Sequence, residues 1–313
     1  MPSMYNFHFG KVILGLAPLL AKETIISKVI NMVDAFRLSV SGGFDDQNRK
    51  YIETVLKLDN SKTIIFELKG NHFRIKNTEK FELPGVGKKL KLDYSEYAQE
   101  TNSHLFIDYP DLATIEPGTT IHFHQSSATL KILSHESDHT LAEVVEGKEV
   151  FSYDLAEFDG HEPTREFLSE RDQKEIRRAL SHGAHLTAAT DTRSAQELRQ
   201  LRDFLAAEHR PLMKVFAKIV SPDTLENLSE ITAESDGVML VRDVLEDART
   251  SQGRDLTKVV NLIKSQGKPV YLQFARGLRT GENYSLMDHD TTAKLCELSI
   301  DGIMVDTMIH DED

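Results

Sequence analysis

The chain has 313 residues, 40% of them apolar, which is enough for one large α/β domain or two ordinary ones with a substantial core. Its 37 basic and 50 acidic side chains give a net charge of −13 with no concentrated basic stripe, which argues against nucleic acid as a main partner. A single cysteine, Cys296, excludes an internal disulfide and a cysteine-rich metal site, and no stretch reaches the roughly 18–20 apolar residues of a membrane span, so the expectation is a soluble, cytoplasmic protein without membrane contact.

In chain order, the first apolar run follows Lys11. It is broken by Gly15 and Pro18 and reads as a strand and loop rather than a signal-peptide core. Strand patterns follow at Asp34–Val40 and Thr63–Lys69, and then at His185–Thr190, Lys214–Ile219, Asp236–Arg242, Pro269–Ala275 and Asp301–Thr307. With Lys11–Leu16 these make eight strands. Between most of them lie helical patterns with apolar residues at three- and four-residue spacing, for example Glu170–Leu180, Ala195–Glu208, Leu256–Gln266 and Asp290–Leu298. Strand-helix alternation implies parallel pairing, and eight units predict a closed TIM (β/α)8 barrel of the α/β class. The alternation breaks between Lys76 and about Pro163. There, Pro-Gly punctuation surrounds alternating runs such as Thr119–Phe123, Thr129–Leu133 and Thr140–Val145. The expected organisation is a barrel over 1–76 and 163–313 with a small all-β domain, 77–162, inserted after strand three.

Several segments resemble pyruvate kinases: "AFRLSVSGG" (35–43), "FELKGNHFR" (66–74), "FIDYPDLATIEPGTTI" (106–121), "LSERDQKEIRRAL" (168–180), "AKIVSPDTLENLSEI" (217–231), "SDGVMLVR" (235–242) and "GKPV" (267–270). They stand in family order and span nearly the whole chain. The resemblance implies a barrel with a β-domain lid and, because the sequence stops at Asp313 just after strand eight, no C-terminal domain and no last barrel helix. A homodimer covering the edge beside strand eight is the partner this implies.

The resemblance also implies a site at the C-terminal mouth of the barrel. Arg37, Arg74 and Lys218 match the cations that surround the phosphoryl group in the family, Lys69 stays in register, and Ser41 matches a monovalent-cation ligand. The family's divalent ion is held by a glutamate two residues after the barrel lysine and an aspartate two residues after the strand-six arginine. Here those places hold Val220, after Lys218, and Val244, after Arg242, and valine offers no oxygen to a hard cation. The other monovalent-site positions have become Ser39, Glu67 and Leu68, and the strand-seven threonine has become Phe274. The expectation is therefore a degenerate catalytic Lys218 and no cofactor. The mouth would be either a small-anion pocket for phosphate or carboxylate, or an ion-pair network closed by Glu67, Asp191 or Asp306. The alternative is an active pyruvate kinase, or a related enzyme acting on phosphoenolpyruvate, with Mg²⁺ held by displaced Glu67 or Asp243 and with K⁺. A further reading is an interaction scaffold with an inert mouth. His122 and His124 share a strand face, which would suit a transition metal, but two surface histidines without a third ligand are more often solvated.

Overall fold

The computed structural model describes residues 11–16, 23–40, 46–70, 73–97, 99–100, 103–123, 126–151, 154–161, 166–220, 222–241, 256–274 and 298–305. The chain divides into two compact units, the first formed by 1–40, 44–70 and 167–313 and the second by 41–43 and 71–166.

The first unit is a closed parallel barrel of eight strands: β1 (Lys11–Gly15), β2 (Ala35–Ser39), β3 (Thr63–Glu67), β4 (Leu186–Thr190), β5 (Lys214–Ile219), β6 (Gly237–Val241), β7 (Val270–Phe274) and β8 (Gly302–Val305). Each strand pairs with its sequence neighbours, and β1 pairs with β8 through Lys11↔Gly302 to Leu14↔Val305. The described helices are α1 (Glu23–Val29), α2 (Asp46–Leu58), α3 (Glu170–Ser181), α4 (Ala195–Ala207), α5 (Leu228–Glu234) and α6 (Leu256–Ser265). Both α3 and α4 begin with a complete capping box, Ser169 with Asp172 and Ser194 with Glu197, so their starts are fixed by side chains that satisfy orphan backbone N–H groups. The expected helix at Asp290–Leu298 lies outside the described residues, apart from its last position.

Strand alternation sorts the barrel's apolar residues into two sets. Ile13, Ala35, Ile65, Leu186, Ala188, Phe216, Met239, Tyr271 and Met304 pack together inside the barrel. Their strand neighbours, among them Phe36, Ile64, Val215, Leu240 and Leu272, join helix residues such as Ile52, Ile176, Leu201 and Ile263 in the larger core between strands and helices. At the N-terminal face a repeated acid pins adjacent strands: the carboxylates of Asp34, Asp236 and Asp301 each accept the backbone N–H of a neighbouring strand residue, Val12, Val215 and Val270 respectively, at 2.8 Å. Arg202 and Lys264 offset two of these acids.

The second unit is built on a seven-stranded sheet whose longest members are Lys89–Tyr94, Ala128–His135 and Thr140–Glu146. Its core is a separate apolar cluster that includes Phe73, Leu92, Ile107, Ile121, Leu130, Val144 and Phe158. Phe73 stacks on Tyr109, and both meet Phe158 edge-on. Phe73–Arg74 pairs antiparallel with Leu155–Phe158, so these residues, expected with the barrel, are part of this sheet instead. A two-residue strand is too short to leave a periodic signal in sequence. Among the described residues no helix is long and apolar enough to cross a membrane.

Candidate functional site

The layer above the apolar barrel interior is polar. Two residues along from the interior set, on the same strand faces, stand Arg37 on β2, Glu67 on β3, Thr190 on β4, Lys218 on β5 and Gln273 on β7, all buried. This layer lies at the C-terminal ends of the strands, where barrels of this class carry their chemistry.

Its centre is Glu67. Arg37 Nη1 donates to Glu67 Oε2 at 2.5 Å, and Lys218 Nζ donates to Glu67 Oε1 at 2.9 Å. The three side chains are only 9%, 5% and 6% exposed for Arg37, Glu67 and Lys218. One carboxylate thus holds two buried cations, and the trio keeps a formal charge of +1. Charge-assisted bonds of this kind are short and strong, and in a water-poor layer they define the arrangement.

The other expected positions divide. Lys69 is buried just beyond β3. Asp191 follows β4 with a φ of 58°, a left-handed conformation that aspartate tolerates better than most residues, and its carboxylate lies 3.2 Å from Arg193 Nη2. Among the described residues the acid hydrogen-bonded to Arg37 and Lys218 is Glu67, while Asp191 has Arg193 of its own loop as an ion-pair partner. Val220 follows β5, partly buried, with a side chain that has no donor or acceptor. Arg74 sits in the second unit, where its backbone N–H donates to Asp108 Oδ1 at 2.6 Å. Ser41, Arg242, Asp243, Val244 and Asp306 lie outside the described residues, as does the side chain of Phe274. His122 has Thr129 Oγ1 at 3.4 Å from Nδ1 and Asp159 Oδ1 at 3.3 Å from Nε2, and His124 lies outside the described residues. Gln273 and Thr190 escaped the sequence reading, although counting by twos from the apolar interior residues Tyr271 and Ala188 puts both in the polar layer.

Burial pushes the Glu67 carboxyl up, but the charges and hydrogen bonds of Arg37 and Lys218 more than reverse this and hold it at about 2, against an ordinary 4.5. A depressed carboxylate pKa gives stability that is fully present above 4.5 and is lost as pH falls toward about 2. The shift corresponds to about 3 kcal/mol. In urea titrations the stability gap between the wild type and Glu67→Gln should therefore be constant above pH 5 and narrow by about that amount on acidification. A pH-independent gap would contradict the assigned ionisation.

An eight-stranded barrel interrupted after its third strand by a β unit, with a cationic layer at the strand ends, defines a class of barrel enzymes and their relatives. Residues 8–247 match the family model "Pyruvate kinase, barrel domain", and the chain belongs to that family. It is 26% identical over 233 residues to the pyruvate kinase of Methanocaldococcus jannaschii, covering 74% of this chain and 48% of that protein. A Staphylococcus aureus pyruvate kinase is 23% identical over 242 residues, covering 74% of this chain and 41% of that one. The crystal structure of Cryptosporidium parvum pyruvate kinase superimposes with a TM-score of 0.79 at 17% identity, covering 95% of this chain and 65% of that one, which is a likeness of fold. The chain spans less than half the length of these two curated relatives.

Proposed function

We propose that this protein does not carry out metal-dependent phosphoryl transfer and that its barrel mouth is a small-anion site kept filled by its own Glu67. The observation that carries this is the bridge from Glu67 to both Arg37 and Lys218. Phosphoryl transfer requires a protein to hold positive charge and metal around the moving group. Here the two cations are turned onto an internal carboxylate. The described residues do not fit a divalent ion either: the Val220 side chain offers no oxygen, the sequence has valine again at 244, and both oxygens of Glu67 are taken by cations. Among the described residues no group of three or more His, Cys, Asp or Glu side chains could hold a metal.

Cations of this kind suit a carboxylate or phosphate, but an external anion has to displace one that is covalently part of the chain. Wild-type protein should accordingly show little heat with oxalate or inorganic phosphate, and Glu67→Gln should bind them at least tenfold more tightly, a difference of about 1.4 kcal/mol.

A coupled assay of pyruvate formation from phosphoenolpyruvate and ADP, with Mg²⁺ or Mn²⁺ and K⁺, tests the catalytic half. The expected result is no turnover above that of Lys218→Met. Turnover in the ordinary enzyme range of ~1–10³ per second, lost in Lys218→Met, would overturn the proposal.

A further inference from the structure

We propose that the inserted β unit carries a transition-metal site formed by His104 and His139, suited to borderline divalent ions such as Zn²⁺, Ni²⁺ and Cu²⁺. It stands independently of the barrel mouth and of the function proposed for it.

Sheet register brings the two histidines together. Strand Lys89–Tyr94 pairs on one side with Leu105–Ile107, through Leu92↔Leu105, and on the other with Thr140–Glu146, through Thr140↔Leu92. His104 immediately precedes the first partner of Leu92 and His139 the second, which sets them on the two outer strands beside the same short stretch of the middle strand. Their ring centroids are 6.4 Å apart with planes inclined at 31°.

Each ring is also oriented from behind by an acid. His104 Nδ1 bonds Asp93 Oδ2, and His139 Nδ1 lies 2.8 Å from Asp138 Oδ1. A neutral imidazole that donates Nδ1–H to a carboxylate carries its lone pair on Nε2. That is the tautomer and the supporting partner found behind metal-bound histidines. Among the described residues neither Nε2 has a protein hydrogen-bond partner. His135 differs, because its Nδ1 meets Thr140 Oγ1 and its Nε2 meets the Ile115 carbonyl, so both nitrogens are occupied. The site is partly sheltered: His104 is 29% and His139 11% exposed, and the Phe106 ring lies 6.0 Å from that of His104.

Ligand chemistry sets the ion class. Imidazole nitrogens suit Zn²⁺, Cu²⁺ and Ni²⁺, whereas Mg²⁺ and Ca²⁺ require oxygen. With two protein ligands, water completes the coordination and leaves open positions for exchange.

The test is titration of the full chain near neutral pH with ZnCl₂, NiCl₂ and CuCl₂, followed by heat and by the imidazole nitrogen resonances. A single ion should bind, with Cu²⁺ tightest. The His104 and His139 signals should shift first, and Mg²⁺ should leave them unmoved. His104→Ala and His139→Ala should each weaken binding by at least tenfold, and Asp93→Asn by about 10–100-fold through loss of orientation, with melting curves confirming that the variants are folded. The proposal fails if the wild type binds none of the three ions, if the first signals to move belong to His122, or if both alanine variants bind as the wild type does. The resonance readout on wild-type protein decides the question even if a variant does not fold.

Discussion

Glu67→Gln is expected to lower the free energy of unfolding by about 3–5 kcal/mol, the usual cost of removing one partner from a buried ionic group. The magnitude follows from what is left behind. Arg37 and Lys218 remain in a layer less than one-tenth exposed, and the carboxylate that neutralised them is replaced by an amide of nearly the same shape. Because volume changes little, the loss is electrostatic rather than steric, and replacing all three residues (Arg37→Met, Glu67→Leu, Lys218→Met) should recover much of it. Chemical denaturation of the single and triple variants separates the two causes. If the single variant loses less than about 1 kcal/mol, Glu67 is not the counter-charge of the site. Oxalate or phosphate should also rescue Glu67→Gln, by about 2.7 kcal/mol at a hundredfold excess over its dissociation constant. Rescue of the wild type to the same degree would show that Glu67 does not exclude external anions.

Much of this site could be read before the fold was known, and the unread part has a definite origin. The barrel strands are continuous apolar runs bounded by turn residues, so all eight were placed to within one or two residues of their observed ends. Alternation from those runs puts Lys218 and Arg37 inside the barrel. The sequence also supplied three acids that could neutralise them, Glu67, Asp191 and Asp306. The choice among these depends on contacts across 30 and 151 residues of chain, and no local pattern encodes such distances. Asp191, in a left-handed turn, has Arg193 two positions away as an ion-pair partner, and among the described residues Glu67 is the acid hydrogen-bonded to both cations. The pair of His104 and His139 was equally invisible: 35 residues apart in sequence, they meet only because each precedes a strand that pairs with Leu92. His122 and His124, two positions apart on one strand, were the visible pair, and His122 is engaged by Thr129 and Asp159.

The second large effect is expected at the seam where the barrel closes. A Cβ built at Gly302 would stand 2.1 Å from the Lys11 carbonyl oxygen and 2.9 Å from its carbon. Both atoms belong to the backbone of β1, and Lys11 is fixed there by its own N–H bond to the Asp301 carbonyl at 2.9 Å and by the register Lys11↔Gly302. Ordinary overpacking costs about 1–3 kcal/mol because side chains can shift, and here the obstacle is a strand that cannot move without opening the β1–β8 ladder. Gly302→Ala should therefore cost more than about 3 kcal/mol, with faster amide exchange confined to Val12–Leu14 and Ile303–Val305. Gly237→Ala provides the control. Its Cβ would meet the Phe216 ring at 2.8 and 2.9 Å and the Pro269 ring at 2.9 Å, which are side-chain atoms with some freedom to yield. It should fall within the ordinary range and leave exchange at the seam unchanged. Equal costs for the two substitutions would mean that the β1–β8 contact is looser than its register implies, and that the barrel does not depend on glycine at position 302 to close.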